Sequence, residues 1–112
     1  PVVSFDYAHA MTLVDQDVLQ IIAQAFVDQW PKDQTRMRAG LELGDLQPVL
    51  HVAHGLKGTL AMFGAEPAMA LAIELERCAM EEDAAGADVR LGLLEMEMQK
   101  LISVIPLEVP SD

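Results

Sequence analysis

Apolar residues recur along most of this chain at intervals of three and four, the spacing that collects them on one face of an α-helix. In QDVLQIIAQAFVDQW the recurrence runs through Val18, Ile21, Ile22, Ala25, Phe26 and Trp30, with Asp15 placed as an N-cap. It predicts a helix over 15–30 that ends or kinks at Pro31. KDQTRMRAGLELG predicts a shorter, more polar helix over 32–43, closing near Gly44. Asp45 is placed to cap a helix over 46–63, with Pro48 tolerated in its first turn and Gly64 as its stop. Pro67 opens a further helix over 67–82. The acidic, glycine-containing stretch EEDAAGAD reads as a turn. Leu91, Leu94, Met98, Leu101, Ile102 and Ile105 set the last helix over 88–105, before a tail at 106–112 that carries Pro106 and Pro110. A turn or two of helix near 5–11 precedes them all, and no internal repeat or low-complexity segment intervenes.

Short connections between helices of this length favour antiparallel neighbours. The expected fold is therefore all-α, an antiparallel up-and-down four-helix bundle with a short additional N-terminal helix. Composition agrees: apolar residues make up 52% of the 112 and aromatics only 4%, the remainder of the apolar set being largely helix-forming Ala, Leu and Met. That length suits one domain over 1–112. A formal charge of −11 with seven basic residues excludes nucleic acid as an expected partner and argues against direct contact with an anionic membrane. The single Cys78 allows no internal disulfide and says little about redox compartment, a reducing cytoplasm being the default expectation. No signal peptide opens the chain and no apolar run is long enough to span a bilayer. Because it starts at Pro1 rather than Met, it reads as a fragment of a longer protein or a processed one.

The helix over 46–63 carries the candidate chemistry. At about 100° per residue, Leu46, Val49, Ala53, Leu56, Leu60 and Phe63 form one core stripe. From that stripe His54 lies roughly 130° away and His51 roughly 170° away, so both imidazoles should be exposed. Gly58, one turn beyond His54, leaves no side chain over its ring, and Gly55 lies on the same outer side. Each glycine costs a helix interior about 1 kcal/mol relative to alanine. Gly58 therefore reads as a notch through which a second protein can reach the ring. A neutral imidazole is a good nucleophile near pH 7, and Lys57, close in space, can pair with phosphoryl oxygens. No nucleophile elbow, Walker loop or dinucleotide fingerprint is present, so the constellation suits receiving and passing on a phosphoryl group better than making one from ATP.

AHGLKGTLAMFGA at 53–65, followed by LAIELE at 71–76, resembles the signature of histidine-containing phosphotransfer (HPt) domains. Ala53, His54, Leu56, Lys57, Gly58, Gly64, Ala65, Leu75 and Glu76 match it, as do the spacing from Phe26 to Pro31 and the acidic residue before the histidine helix. Gly55 departs from the small polar residue common at its place. The resemblance implies that His54 accepts a phosphoryl group from the aspartyl phosphate of a response-regulator receiver domain and hands it to another receiver. Lys57 would steady the phosphoryl oxygens and Gly58 would give clearance. No cofactor would be bound, Mg²⁺ belonging to the partner receiver. Such domains often form the C-terminal module of a hybrid sensor histidine kinase, which would put this one at the cytoplasmic end of an inner-membrane sensor.

Other readings of the same residues remain open. Glu76 can orient the His54 ring from the following helix or be one solvated charge among many. His51 and Gly55 share the outer face, and Met62, one turn past Gly58, can belong to an adaptable docking surface. His9 is expected to be an ordinary surface residue. Two imidazoles without a third ligand make a poor metal site, so no metal is expected. As a whole, the domain could be a catalytically silent helical module that docks receivers without transfer, or a kinase that phosphorylates itself from ATP.

Overall fold

The computed structural model describes residues 4–108, all of its regular structure helical. Helix α1 spans Tyr7–Met11, α2 Gln16–Leu43, α3 Gln47–Met62, α4 Glu66–Met80 and α5 Ala84–Glu108. Helices α2 to α5 form the bundle. Helix α3 packs between α2 and α4, while α5 closes the ring between α4 and α2. At 1.5 Å per residue the 28 residues of α2 extend about 42 Å, matching the long dimension of the molecule, 43 Å.

Two features differ from the sequence expectation. The separate helices expected over 15–30 and 32–43 are one continuous helix, because Pro31 does not break α2. A proline inside a helix costs about 3 kcal/mol, but Pro31 is exposed, so the lost donor falls away from the core. Phe26 and Trp30 before it and Met37 after it are buried. Burying such side chains is worth about 1.5–3 kcal/mol each, enough to keep both halves on one core. The second difference is the start of α5. The turn after α4 occupies only 81–83, with Glu82 left-handed at φ 57°, and Asp83 accepts the amide of Gly86 at 2.9 Å. That cap starts α5 at Ala84, four residues before the expected 88, and the helix runs through Pro106 to Glu108 rather than giving way to a tail at 106. The rest of the expected tail, 109–112, lies outside the described residues.

The other punctuation follows local chemistry. Asp15 caps α2, accepting the amide of Val18 at 2.9 Å, whereas Asp45, expected to cap α3, lies one residue before its N-cap Leu46 and accepts the amide of Gln47 at 3.1 Å. Gly64 ends α3 at φ 62°, and a Cβ there would press on Asp6. Gly40 is needed for a different reason: its Cβ would stand 2.6 Å from the Asp45 carbonyl where the chain folds back into α3.

At one end, Phe63 takes the rings of Phe26 and Phe5 edge-on, at 5.1 and 5.3 Å between centroids. The N-terminal segment is tied there by Asp6 N–H to the Phe63 carbonyl at 2.7 Å and by His9 Nε2 to the Ala61 carbonyl at 3.1 Å. His9 is thus exposed, as expected, yet engaged. Among the described residues no helix is long and apolar enough to cross a membrane.

Candidate functional site

Val49, Val52, Ala53, Leu56 and Leu60 turn into the core and fix the rotation of α3. That rotation puts His51, His54, Gly55 and Gly58 on the outside. The His54 side chain is 73% exposed. Across from it, α4 buries Ala68, Ala72, Leu75 and Ala79, leaving Glu76 on the edge that faces α3. The Glu76 side chain is only 13% exposed, and its two oxygens divide between two partners. Oε2 lies 2.6 Å from His54 Nδ1, and Oε1 accepts from Lys57 Nζ at 2.5 Å.

This geometry sets the state of the imidazole. The Lys57 hydrogen bond foremost, with that of His54 and the charges of both, holds the Glu76 carboxyl below its ordinary range, against an opposing effect of burial. Glu76 is therefore ionised at neutral pH and can only accept. Its neighbour Nδ1 must then carry the proton, which leaves the lone pair of a neutral ring on Nε2. The bond made by one ring nitrogen thus decides which nitrogen is nucleophilic. Nε2 has no partner among the described residues and belongs to an exposed ring.

Neither glycine beside the histidine serves the packing of the bundle: a Cβ on Gly55 or on Gly58 would meet no atom within 4 Å. His51 is exposed one turn before His54 and lines two depressions, one between α2 and α3 and one of about 350 Å³ between α3 and α4. The second is also lined by His54, Glu76, Leu50 and the exposed Met80. Met62, one turn past Gly58, is half-buried and packs against the core. Among the described residues no group of three or more His, Cys, Asp or Glu side chains is arranged to hold a metal ion.

The pairing of Lys57 with Glu76 was missed in the sequence, which offers Lys57 only to an incoming phosphoryl group. Ile21 was also missed. It falls at helical spacing among core-like residues, yet it is 70% exposed. The available signal is its neighbour: adjacent helix residues diverge by 100°, so Ile21 and Ile22 cannot both face the core.

Fold and site together define a helical bundle that presents one oriented, accessible imidazole on its surface. The family model of the Hpt domain matches residues 21–104, and the chain belongs to that family. Hpt domains act in two-component phosphorelays by histidine phosphotransfer and interact with response-regulator receivers; they are phosphotransfer modules rather than classical enzymes. No curated protein and no solved structure matches the chain.

Proposed function

We propose that this domain is a phosphorelay intermediate: His54 takes a phosphoryl group from the aspartyl phosphate of one receiver domain and gives it to the aspartate of another. The observation that carries this reading is the hydrogen bond of His54 Nδ1 to Glu76 at 2.6 Å on an otherwise exposed ring. Nε2 attacks phosphorus, the N–P bond forms, and the P–O bond breaks so that the donor aspartate leaves as a carboxylate. No proton needs to depart. The ring becomes an N-phosphoryl imidazolium whose Nδ1–H faces the Glu76 carboxylate, and that charge is stabilised where it develops. Lys57 exchanges Glu76 for the phosphoryl oxygens, and Gly58 leaves the approach clear. On the return step the neutral imidazole is the leaving group. Mg²⁺ belongs to the receiver, and this chain binds no cofactor of its own. The setting is cytoplasmic, within or beside a hybrid sensor histidine kinase.

The test is incubation with a receiver domain phosphorylated by radiolabelled acetyl phosphate. Acid-labile, base-stable label is expected on the wild type, none on His54→Gln, and most of it on His51→Gln. ATP alone should give no label. A wild type that binds the receiver but stays unlabelled would be the silent docking module instead. Loss of label in His51→Gln but not in His54→Gln would displace the site by one turn of helix.

A further inference from the structure

Helix α5 is apolar on both of its sides. Ala87, Leu91, Leu94, Met98, Leu101 and Ile105 turn one side to the core. On the opposite side, about 180° around the helix, Val89, Leu93 and Met96 are 59, 47 and 59% exposed. Their spacing of four and three sets them in one row, which Lys100 and Ser103 continue at the same spacing. Scattered exposed apolar residues are ordinary, whereas a contiguous row marks a contact surface. A repeat of four and three is also the pattern by which two helices interlock. The face widens toward α2, where Gly92, Met96 and Ser103 line a trough of about 570 Å³ with Trp30 and Gln34.

The charges beside the row restrict its occupant. Arg90 and Glu97 are seven residues apart and so lie on one flank of it. Arg90 has no ion pair among the described residues, and Glu97 is held by Lys100 at 3.1 Å. When two copies of a helix pair antiparallel about a two-fold axis, each flank meets the same flank of its partner. With Leu93 at the axis, Arg90 lies three residues before it and Glu97 four after. Arg90 of each copy then stands level with Glu97 of the other, and Val89 with Met96. Lys100 comes within about a turn of the other copy's exposed acidic residues at 81–83. Net charge does not oppose this contact, although the chain carries −11. The other carboxylates between Ala84 and Ser103 are Asp88 and Glu95, and both are paired with Arg38. Arg38, Arg90 and Lys100 thus balance Asp88, Glu95 and Glu97, and the face is neutral.

We infer that the outer face of α5 is a self-association surface, on which two copies of this chain pair antiparallel about Leu93. Helix α5 closes the bundle between α4 and α2, and α3 lies between the same two helices on the other side. Pairing through α5 therefore leaves α3 uncovered, a helix that holds none of the chain's 18 acidic residues. The dimer presents two accessible imidazoles on its outer sides, whatever phosphorylates them.

The experiment is sedimentation equilibrium of the wild type between about 10 µM and about 1 mM, a range set by a single helix pair that buries less than the roughly 800 Å² per partner of a standard interface. A monomer–dimer equilibrium is expected. Variants are checked for helicity and thermal unfolding. Leu93→Asp should weaken association at least tenfold, while Leu43→Ser, exposed at the end of α2, should leave it unchanged. Arg90→Glu should weaken it about fivefold, and adding Glu97→Arg should restore it to within twofold of wild type, because the exchange rebuilds both pairs with their signs reversed. Direction is read by oxidative cross-linking in a Cys78→Ala background. Leu93→Cys should link to itself, whereas Ser103→Cys, about 30 Å from its counterpart in the antiparallel pair, should not. A wild type that stays monomeric throughout the range overturns the proposal, as does a dimer indifferent to Leu93→Asp. Cross-linking through Ser103→Cys, or a charge exchange that fails to restore association, overturns the antiparallel arrangement.

Discussion

Replacing Glu76 with glutamine separates position from charge. Gln keeps an oxygen that can accept from His54 Nδ1, so the ring stays oriented, but it carries no charge to meet the imidazolium that forms when Nε2 is phosphorylated. The missing attraction can be sized from the structure. With Nδ1 and Oε2 2.6 Å apart, the delocalised charges centre about 4 Å from each other, where a pair of unit charges attract by about 1 kcal/mol in water and about 4 kcal/mol at a partly screened surface. A His54 ring that is 73% exposed belongs near the aqueous end, so about 1 kcal/mol is the figure to use, or roughly a fivefold change in equilibrium constant. The neutral ring before transfer has no such term to lose. Glu76→Gln should therefore shift the partition of a phosphoryl group between His54 and a receiver aspartate about fivefold toward the receiver. The assay mixes equimolar domain and phospho-receiver at pH 7, waits for equilibrium, and reads the label on each by gel. A partition equal to wild type, or one displaced toward His54, refutes the claim that the carboxylate charge stabilises the phosphorylated ring.

Three further predictions concern the scaffold. Gly58→Ala should raise the unfolding temperature by about 4 °C, reflecting about 1 kcal/mol of helix propensity at a position where a Cβ meets open space, while slowing transfer from a receiver; a lower melting temperature would contradict the packing described. Phe63→Ala should cost about 3–5 kcal/mol in urea unfolding, because Phe63 is fully buried and holds the rings of both Phe5 and Phe26, whereas Leu43→Ala, at an exposed position, should change stability by about 0.5 kcal/mol or less. Glu95 is held below the ordinary carboxylate range chiefly by its hydrogen bond from Arg38, against burial. Since its folded value is depressed, the stability it adds is present above the unfolded value and is lost as pH falls through the folded one. Glu95→Gln should thus cost about 1 kcal/mol at pH 7, the guanidinium being partly solvated, and progressively less on the acid side of the ordinary range; a cost independent of pH would show that the ion pair is not its source.

What the sequence reveals about this molecule divides by the range of the interaction. The rotation of α3, and with it the exposure of His54, follows from the spacing of Val49, Ala53, Leu56 and Leu60, because one helix with a continuous apolar stripe has one way to face a core. Local rules fail where tertiary burial outweighs them. Pro31 is a strong stop signal by itself, yet Trp30 and Met37 need the same helix on the same core. Asp83 reads as part of an acidic turn, although its side chain is a cap and the helix begins just after it. Farthest from view is the division of Glu76 between His54 and Lys57. That arrangement joins residues 22 and 19 positions apart on two helices, and only the register of α4 on α3 creates it.

The absence of acidic residues from α3 has a kinetic consequence. A chain of net charge −11 repels another acidic protein at distances of about a Debye length, roughly 8 Å at physiological ionic strength. That repulsion is uneven, because α3 carries Lys57 alone among formal charges and the nearby Glu76 is already paired with Lys57 and His54. Two such bodies approaching at random are turned by their fields before they touch, and the orientation with least resistance is the one in which α3 leads. The negative charge therefore filters encounters, discouraging collisions on the wrong sides. Added salt should then raise the frequency of encounters with an acidic partner and lower the fraction that arrive with the imidazole in front.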